Sequence, residues 1–529
     1  AAHYYRRRFG RQARVLVLDN HDDVGGHATR NEFKVGGRTL LSYGGNESLQ
    51  SPTSFSATVN ALMGELGVEI DRFETYFDRR LYADLGLQRA TFFDAATFGT
   101  DRLVAGDPTV WVSDDTVPRR RPERPIRDFV ADFPMSEEAR AQLLAIHTEP
   151  RSILPDLAPP ARERALKRVS YPDFLRTHWG AGEEALRFFA QRTHDYFGLP
   201  AAFVTAEEAW QADYPGFQGI ADGPAHPGGE PYIHHFPDGN ASIARLLVRR
   251  LVPRALPGST MEDVVLARLR YDRLDEPDRP VRIRLSSTVV QARNRRGGVD
   301  IGYVRQGRLR RVRARHVVMA GWNMMIPHVV PETPEPQRAA LRNNVKMPLV
   351  YAKVAIADWR AAARLKVHDI YAPGAFFART KLDFPVSMGG YRCPRDPSEP
   401  MVLHMVHVPT TAEGFSDARD ALRAGRGRLL GMPFAAFEGE IRGQLDRMLG
   451  PGGFESGRDI RAITVNRWSH GYSGSPATLG GDPDDGDAEI AAAAKPIGRI
   501  AVANADRAWS AYLHSAIDAA HAAVGELPA

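Results

Sequence analysis

The run Arg14-Val15-Leu16-Val17-Leu18 ends in an acid, Asp19, and a glycine pair, Gly25-Gly26, follows it. A short β-branched and aliphatic run of this kind reads as a buried parallel strand. Before it, Ala1 to Phe9 reads as a helix end, with Arg6-Arg7-Arg8 in the last turn, where cations suit the dipole, and Gly10 as the stop. Helix, strand and terminal acid in that order make the second half of a βαβ dinucleotide-binding unit, whose carboxylate accepts hydrogen bonds from a ribose. The first half should carry a Gly-x-Gly-x-x-Gly loop, a spacing found nowhere in the chain. The expectation is therefore that the first strand and its glycine loop lie before Ala1.

Composition narrows the class. Hydrophobic residues make up 43% and charged residues 25% of 529, the balance of a folded globular protein with about three or four domain-sized units. The formal net charge of +5 is a weak field for so long a chain. Its densest basic cluster, Arg119-Arg120-Arg121 with Arg124 and Arg127, is interleaved with proline and lacks aromatic partners, so it reads as a solvated loop and not a nucleic-acid surface. The single cysteine, Cys393, excludes an intrachain disulfide and a cysteine-held zinc or iron–sulfur cluster. No run of 18 or more apolar residues marks a membrane helix. The compartment, periplasmic or cytoplasmic, stays open.

Along the chain, Thr39 to Ser48 with Tyr43-Gly44-Gly45 reads as a glycine-rich return. From about Thr58 to Trp210 the spacing is largely helical, at Val59–Leu66, Ser136–His147 and Tyr171–Phe188. Phe236-Pro237-Asp238-Gly239-Asn240 precedes a helix over Ser242–Leu251. Strand-like alternation follows at Val281–Leu285, Thr288–Ala292 and Val299–Val304, and Arg310–Arg315 leads to a fully buried strand, Val317–Ala320. Leu349–Val408 reads as several strands, Ala435–Leu449 as an amphipathic helix, Asp482–Asp487 as an acidic loop, and Ser510–Val524 as a long alanine-rich helix.

Asp19 with Gly25-Gly26 and the following His27 resembles the start of FAD-binding proteins of the amine oxidase and glutathione reductase type, where paired glycines let the backbone approach the pyrophosphate. The tail Ile500-Ala501-Val502, Asn504-Ala505-Asp506, Trp509-Ser510-Ala511-Tyr512 resembles the C-terminal flavin motif of the amine oxidases. A closer resemblance, nearly end to end, is to the bacterial spermidine dehydrogenase family. It is carried by NHDDVGGHATRNEF (20–33), YGGNESLQSP (43–52), FPDGN (236–240), AGWNMMIP (320–327), KMPLVYAKVAI (346–356), LDFPVSMGGYR (382–392), TVNRWSHGY (464–472) and RIAVANAD (499–506).

That resemblance implies an α/β flavoprotein with a two-dinucleotide-binding-domain, Rossmann-like FAD fold and an inserted mixed α+β substrate domain. FAD-binding parts are expected at 1–57, 231–330 and 456–529, a mainly helical insertion at 58–230, and a substrate-domain sheet and helix at 331–455. The implied cofactor residues are Asp19, Gly25, Gly26, His27, Gly44, Gly45, Val289, Asn504, Asp506 and Tyr512. The implied reaction oxidises a C–N bond of a polyamine such as spermidine to an imine, which hydrolyses to aldehyde and amine. Electrons pass to a non-nicotinamide acceptor of unknown identity.

Three residues are singled out for the chemistry. Lys346 resembles the lysine that holds a water against the flavin in amine oxidases, the alternative being a solvated lysine at a strand edge. Trp468 and Tyr472, with His470 between them, match an aromatic wall beside the flavin. Ser473-Gly474-Ser475-Pro476 stands where relatives carry bulky aromatics, which leaves the substrate less defined. No cysteine lies in this segment, so the FAD is expected to be non-covalent. Some relatives are reported to hold haem, for which His234-His235 and His404 with His407 are candidates; they read as packing or loop residues, and no metal is assigned. Glu47, Glu207, Glu208 and Asp213 fall in segments that would face a polyamine pocket but read as surface acids. Two other readings stand beside the amine one: a flavin desaturase or isomerase acting on an apolar alkene, and a non-catalytic fragment without the FAD glycine loop.

Overall fold

The computed structural model describes residues 1–109, 124–220, 230–475, 480 and 486–529. Its strands are β1 (Val15–Leu18), β2 (Arg30–Val35), β3 (Arg38–Tyr43), β4 (Gln88–Phe93), β5 (Arg102–Ala105), β6 (Val281–Arg284), β7 (Ser287–Arg295), β8 (Gly298–Arg305), β9 (Arg308–Ala314), β10 (Val317–Met319), β11 (Met347–Ile356), β12 (Val367–Tyr371), β13 (Arg379–Leu382), β14 (Met401–His407), β15 (Ile460–Tyr472) and β16 (Ile500–Val502). Two parallel pairs join distant parts of the chain. β1 pairs with β6, Val15 opposite Val281, and β10 pairs with β16, Val317 opposite Ile500. Parallel pairing of short aliphatic strands, with helices between them, is the α/β architecture expected for a Rossmann-like domain. The β7–β8–β9 meander leads into β10.

The larger sheet has the order β15-β11-β14-β13-β12-β4-β5 and is antiparallel except between β12 and β4. One of its faces is apolar. Ala352, Val354, Ile356, Leu403 and Met405 pack against Ile441, Leu445 and Met448 of the helix Phe434–Leu449. That helix presents residues three and four apart to the sheet, which is the amphipathic arrangement its sequence predicts. A separate core, built around Phe93, Phe129, Phe174 and Phe189, holds the helical insertion.

Four expectations need correction. The largely helical stretch 58–210 also holds two strands, β4 and β5, which leave it to join the large sheet. Their pairing with β12 is long-range and leaves no trace in local periodicity. Tyr171–Phe188 is two helices, Tyr171–Trp179 and Glu183–Phe189, because Gly180 takes a left-handed conformation (φ +65°) and stops the first. β10 is half-buried and not fully buried, with β16 its single hydrogen-bonded neighbour among the described residues. The last helix begins at Leu513, after Trp509 turns the chain at φ +46°. Arg119-Arg120-Arg121, Pro476 and Asp482–Asp485 lie outside the described residues. No helix among the described residues is long and apolar enough to cross a membrane.

Candidate active site

Five separate segments converge at one end of the large sheet. Lys346, just before β11, is 3% exposed, so it is not a solvated lysine at a strand edge. Its Nζ donates to Asp506 Oδ1, and Asp506 is wholly buried. The other carboxylate oxygen of Asp506 accepts from the backbone N–H of Asn323 (3.1 Å), whose side-chain amide donates to the Asp506 carbonyl (2.8 Å). A buried ion pair is tolerated when its remaining lone pairs are satisfied in this way. Asn504 sets up the turn: it has φ +75°, and its side chain accepts from the N–H of Ala505 (2.7 Å).

Trp468, near the end of β15, donates from Nε1 to the Gly44 carbonyl (2.8 Å), and its ring meets His27 edge-on at 4.8 Å. Gly45 has to be glycine, since a Cβ there would collide with the His27 carbonyl and the Trp468 ring. Gly25 (φ +112°) and Gly26 (φ +59°) shape the loop that delivers His27. His27 Nε2 is buried without a hydrogen-bond partner. Burial first, then the nearby Lys346 charge, pushes the His27 pKa down to about 3, so the ring is neutral.

His470 stacks on Trp322 at 3.9 Å and accepts from Arg426 Nη1 (2.6 Å). Burial, then the charges of Arg426 and Lys346, lowers its pKa to about 3. The hydroxyls of Tyr472 and Tyr351 are 2.5 Å apart, and those of Tyr512 and Tyr196 are 3.0 Å apart. Burial raises the pKa of both Tyr472 and Tyr512. The structure thus brings Gly25, Gly26, His27, Gly44, Gly45, Lys346, Trp468, Tyr472, Asn504 and Asp506 to one neighbourhood.

Asp19 and Val289 sit elsewhere, where β1 meets β7. The Asp19 carbonyl accepts from the N–H of Ser287 (2.7 Å), its carboxylate accepts from the N–H of His21 (2.9 Å), and Val289 is half-buried on β7. No hydrogen bond joins either of them to the Lys346–Asp506 pair among the described residues.

A second group was not anticipated as a unit. Cross-strand register aligns Thr464, Lys353, His404, Lys381 and Asp369 in one row across five strands of the large sheet. The row lies on the face opposite the apolar one, because successive side chains alternate. Lys353 and His404 are fully buried. Glu47 belongs to this group and is not a surface acid: its side chain is 13% exposed and accepts from Lys381 Nζ (3.4 Å). Glu208 instead caps the helix Ala206–Gln211 with Thr205, and Asp213 is exposed. The usable signal was the strict alternation of Tyr351 and Lys353 with Ala352 and Val354.

No protein-family model matches the chain, and neither does any curated protein. Solved structures do. Cyclohexylamine oxidase from Brevibacterium oxydans IH-35A is 15% identical, with 99% of this chain and 95% of that one covered at a TM-score of 0.51. Putrescine oxidase bound to putrescine is 15% identical, with 99% and 94% covered at 0.50. A protein assigned as protoporphyrinogen oxidase from Exiguobacterium sp. 255-15 is 11% identical, with 99% and 95% covered at 0.54. At these identities the likeness is one of fold: the chain has the α/β architecture of these oxidases, a Rossmann-like domain with an inserted mixed α+β domain.

Proposed function

We propose that this protein is an FAD-dependent amine oxidoreductase acting on a polyamine, with spermidine the first substrate to test. The observation that carries the reading is the buried Lys346–Asp506 pair, flanked by Trp468 and Tyr472, at the meeting point of N-terminal, central and C-terminal segments. The residues present fit the cofactor. His27 Nε2 is a buried polar atom still lacking a partner, and the left-handed Gly25-Gly26 backbone leaves open space around Gly26.

FAD would be held without a covalent bond by Asp19 at the ribose, Gly25 and Gly26 at the pyrophosphate, and Asn504 and Asp506 at the linker. His27, Gly44, Gly45, Val289 and Tyr512 would line it. When bound, it supplies the two-electron acceptor for the hydride equivalent leaving the carbon beside the amine nitrogen. The chain's own residues do the rest. Lys346, anchored by Asp506, places and polarises a water through Nζ for hydrolysis of the imine. Trp468 and Tyr472 wall the reacting carbon from bulk solvent and offer π faces to the amine. The buried Glu47–Lys381 contact nearby is a polar lining that favours an amine over the apolar alkene of a desaturase.

The test is spectroscopic. Purified protein titrated with FAD should acquire a flavin spectrum, and denaturation should release the flavin. Anaerobic spermidine should then bleach it, and Lys346→Met should slow bleaching or reoxidation by on the order of tenfold to a hundredfold or more. A protein that stays colourless with added FAD overturns the reading in favour of a non-catalytic one. A Soret band in the same scan would add haem.

A further inference from the structure

Lys353 is a buried ammonium with no hydrogen-bond acceptor. Its Nζ sits 3.2 Å from the centroid of the Tyr43 ring, and the residue is fully buried. The groups facing it come from every neighbouring element. Tyr351 shares its strand, Thr464 and His404 lie opposite it on β15 and β14, and Lys381 and Arg379 extend from β13. Asp383 follows β13, Glu47 and Tyr43 come from β3 and the turn after it, and Asp195 and His235 complete the shell.

The charges do not balance. Arg379 is shared by two carboxylates, those of Asp369 and Asp195. Lys381 is matched by Glu47. Asp383 uses one oxygen to accept from the N–H of Phe384 (2.9 Å), while its other oxygen is buried and unpartnered. Four carboxylates therefore face three cations, and one of those cations, Lys353, has nothing to bond. An ammonium entering in the place of the Lys353 charge would find the unpartnered Asp383 oxygen and the aromatic faces of Tyr43 and Phe384.

We infer that this cluster is the subsite for a second ammonium of the substrate, and that Lys353 is its specificity-determining residue, holding the place in the free protein and giving up its proton to solvent when the substrate cation enters. The inference rests on the amine reading above. The Tyr472–Tyr351 hydroxyl contact links the cluster to the aromatic wall. Burial, only partly offset by Asp383 and Glu47, lowers the Lys353 pKa to about 7, so the proton can leave near neutrality. The exchange is balanced: one ammonium arrives, one lysine proton departs, and the buried charge is unchanged.

The test uses holoenzyme reduced with dithionite, so that no turnover occurs, with putrescine and butylamine as probes. Titration calorimetry in two buffers of different ionisation heat counts protons. Putrescine should release about one more proton than butylamine at a pH below that of Lys353 titration, and its affinity relative to butylamine should rise by up to about tenfold per pH unit up to about pH 7, then level off. In Lys353→Met the extra proton release should vanish and the affinity ratio become high and independent of pH. In Lys353→Arg, a permanent cation, the ratio should be low throughout, and this variant decides the matter if Lys353→Met does not fold. Equal proton release by the two amines in wild-type protein, or an unchanged ratio in the variants, overturns the inference alone. If oxidised holoenzyme is bleached by no amine, the amine reading fails, and this inference with it.

Discussion

Two lysines of one sequence segment, Lys346 and Lys353, are both buried and solve the problem of a buried ammonium in opposite ways. Lys346 has a dedicated acceptor, Asp506, itself fixed by Asn323. Lys353 has only the face of Tyr43 and carboxylates out of bonding reach. The difference teaches that burial alone does not decide how an ammonium is held: the first position has a fixed acceptor and the second has none. A paired buried ammonium is costly to separate from its acceptor, because losing either partner strands the other. In the unpaired one desolvation outweighs the nearby carboxylates and lowers the pKa.

The comparison breaks most visibly at the paired site. Asp506→Ala strands the Lys346 ammonium and removes an acceptor for the N–H of Asn323, and should cost about 3–5 kcal/mol, read as a lower urea midpoint. At the unpaired site the sign reverses. Lys353→Met replaces a desolvated ammonium with an apolar chain of similar length and should stabilise the fold by about 1–3 kcal/mol. That gain depends on pH in a defined direction. The folded pKa is about 7 against 10.5 unfolded, so between those values the unfolded chain binds a proton that the folded one does not. Wild-type stability therefore rises with pH through this window, and the advantage of Lys353→Met, full below about pH 7, should fade toward 10.5. An advantage independent of pH would show that Lys353 is not the titrating group. The smallest effect is expected at the aromatic wall. Trp468→Phe keeps an aromatic face, though a smaller one, and deletes the donor to the Gly44 carbonyl, and should cost about 1 kcal/mol in the same denaturation assay.

Local words in the sequence made much of the first site legible. A strand ending in Asp19, the glycine pairs at 25–26 and 44–45, the lysine before a long apolar strand and the Asn504-Ala505-Asp506 turn each carry their signal within a few residues. Their structures follow from local rules: positive φ at Gly25 and Gly26, and the start of a long apolar strand just after Lys346. The second site was not legible in this way. Glu47 looks like any polar residue in a loop, and His404 like a packing histidine. Their meaning comes from lying opposite Lys381 and Lys353, residues hundreds of positions from Glu47 and tens from His404, across strands whose register no local pattern specifies.

The sequence by itself determined the class of chain, the parallel β1 strand with its acid, the glycine turns and the amphipathic helix over the large sheet, because each depends on side-chain period and backbone freedom within one segment. Only the tertiary structure decided that Lys346 is paired with Asp506 and that Lys353 is not. It also decided that β4 and β5 belong to the large sheet and that five strands align a polar row on one of its faces. The physical reason is the same in each case. A charge's partner and a strand's neighbour are fixed by contacts between residues far apart in the chain, and burial then turns those contacts into electrostatics that no segment carries alone.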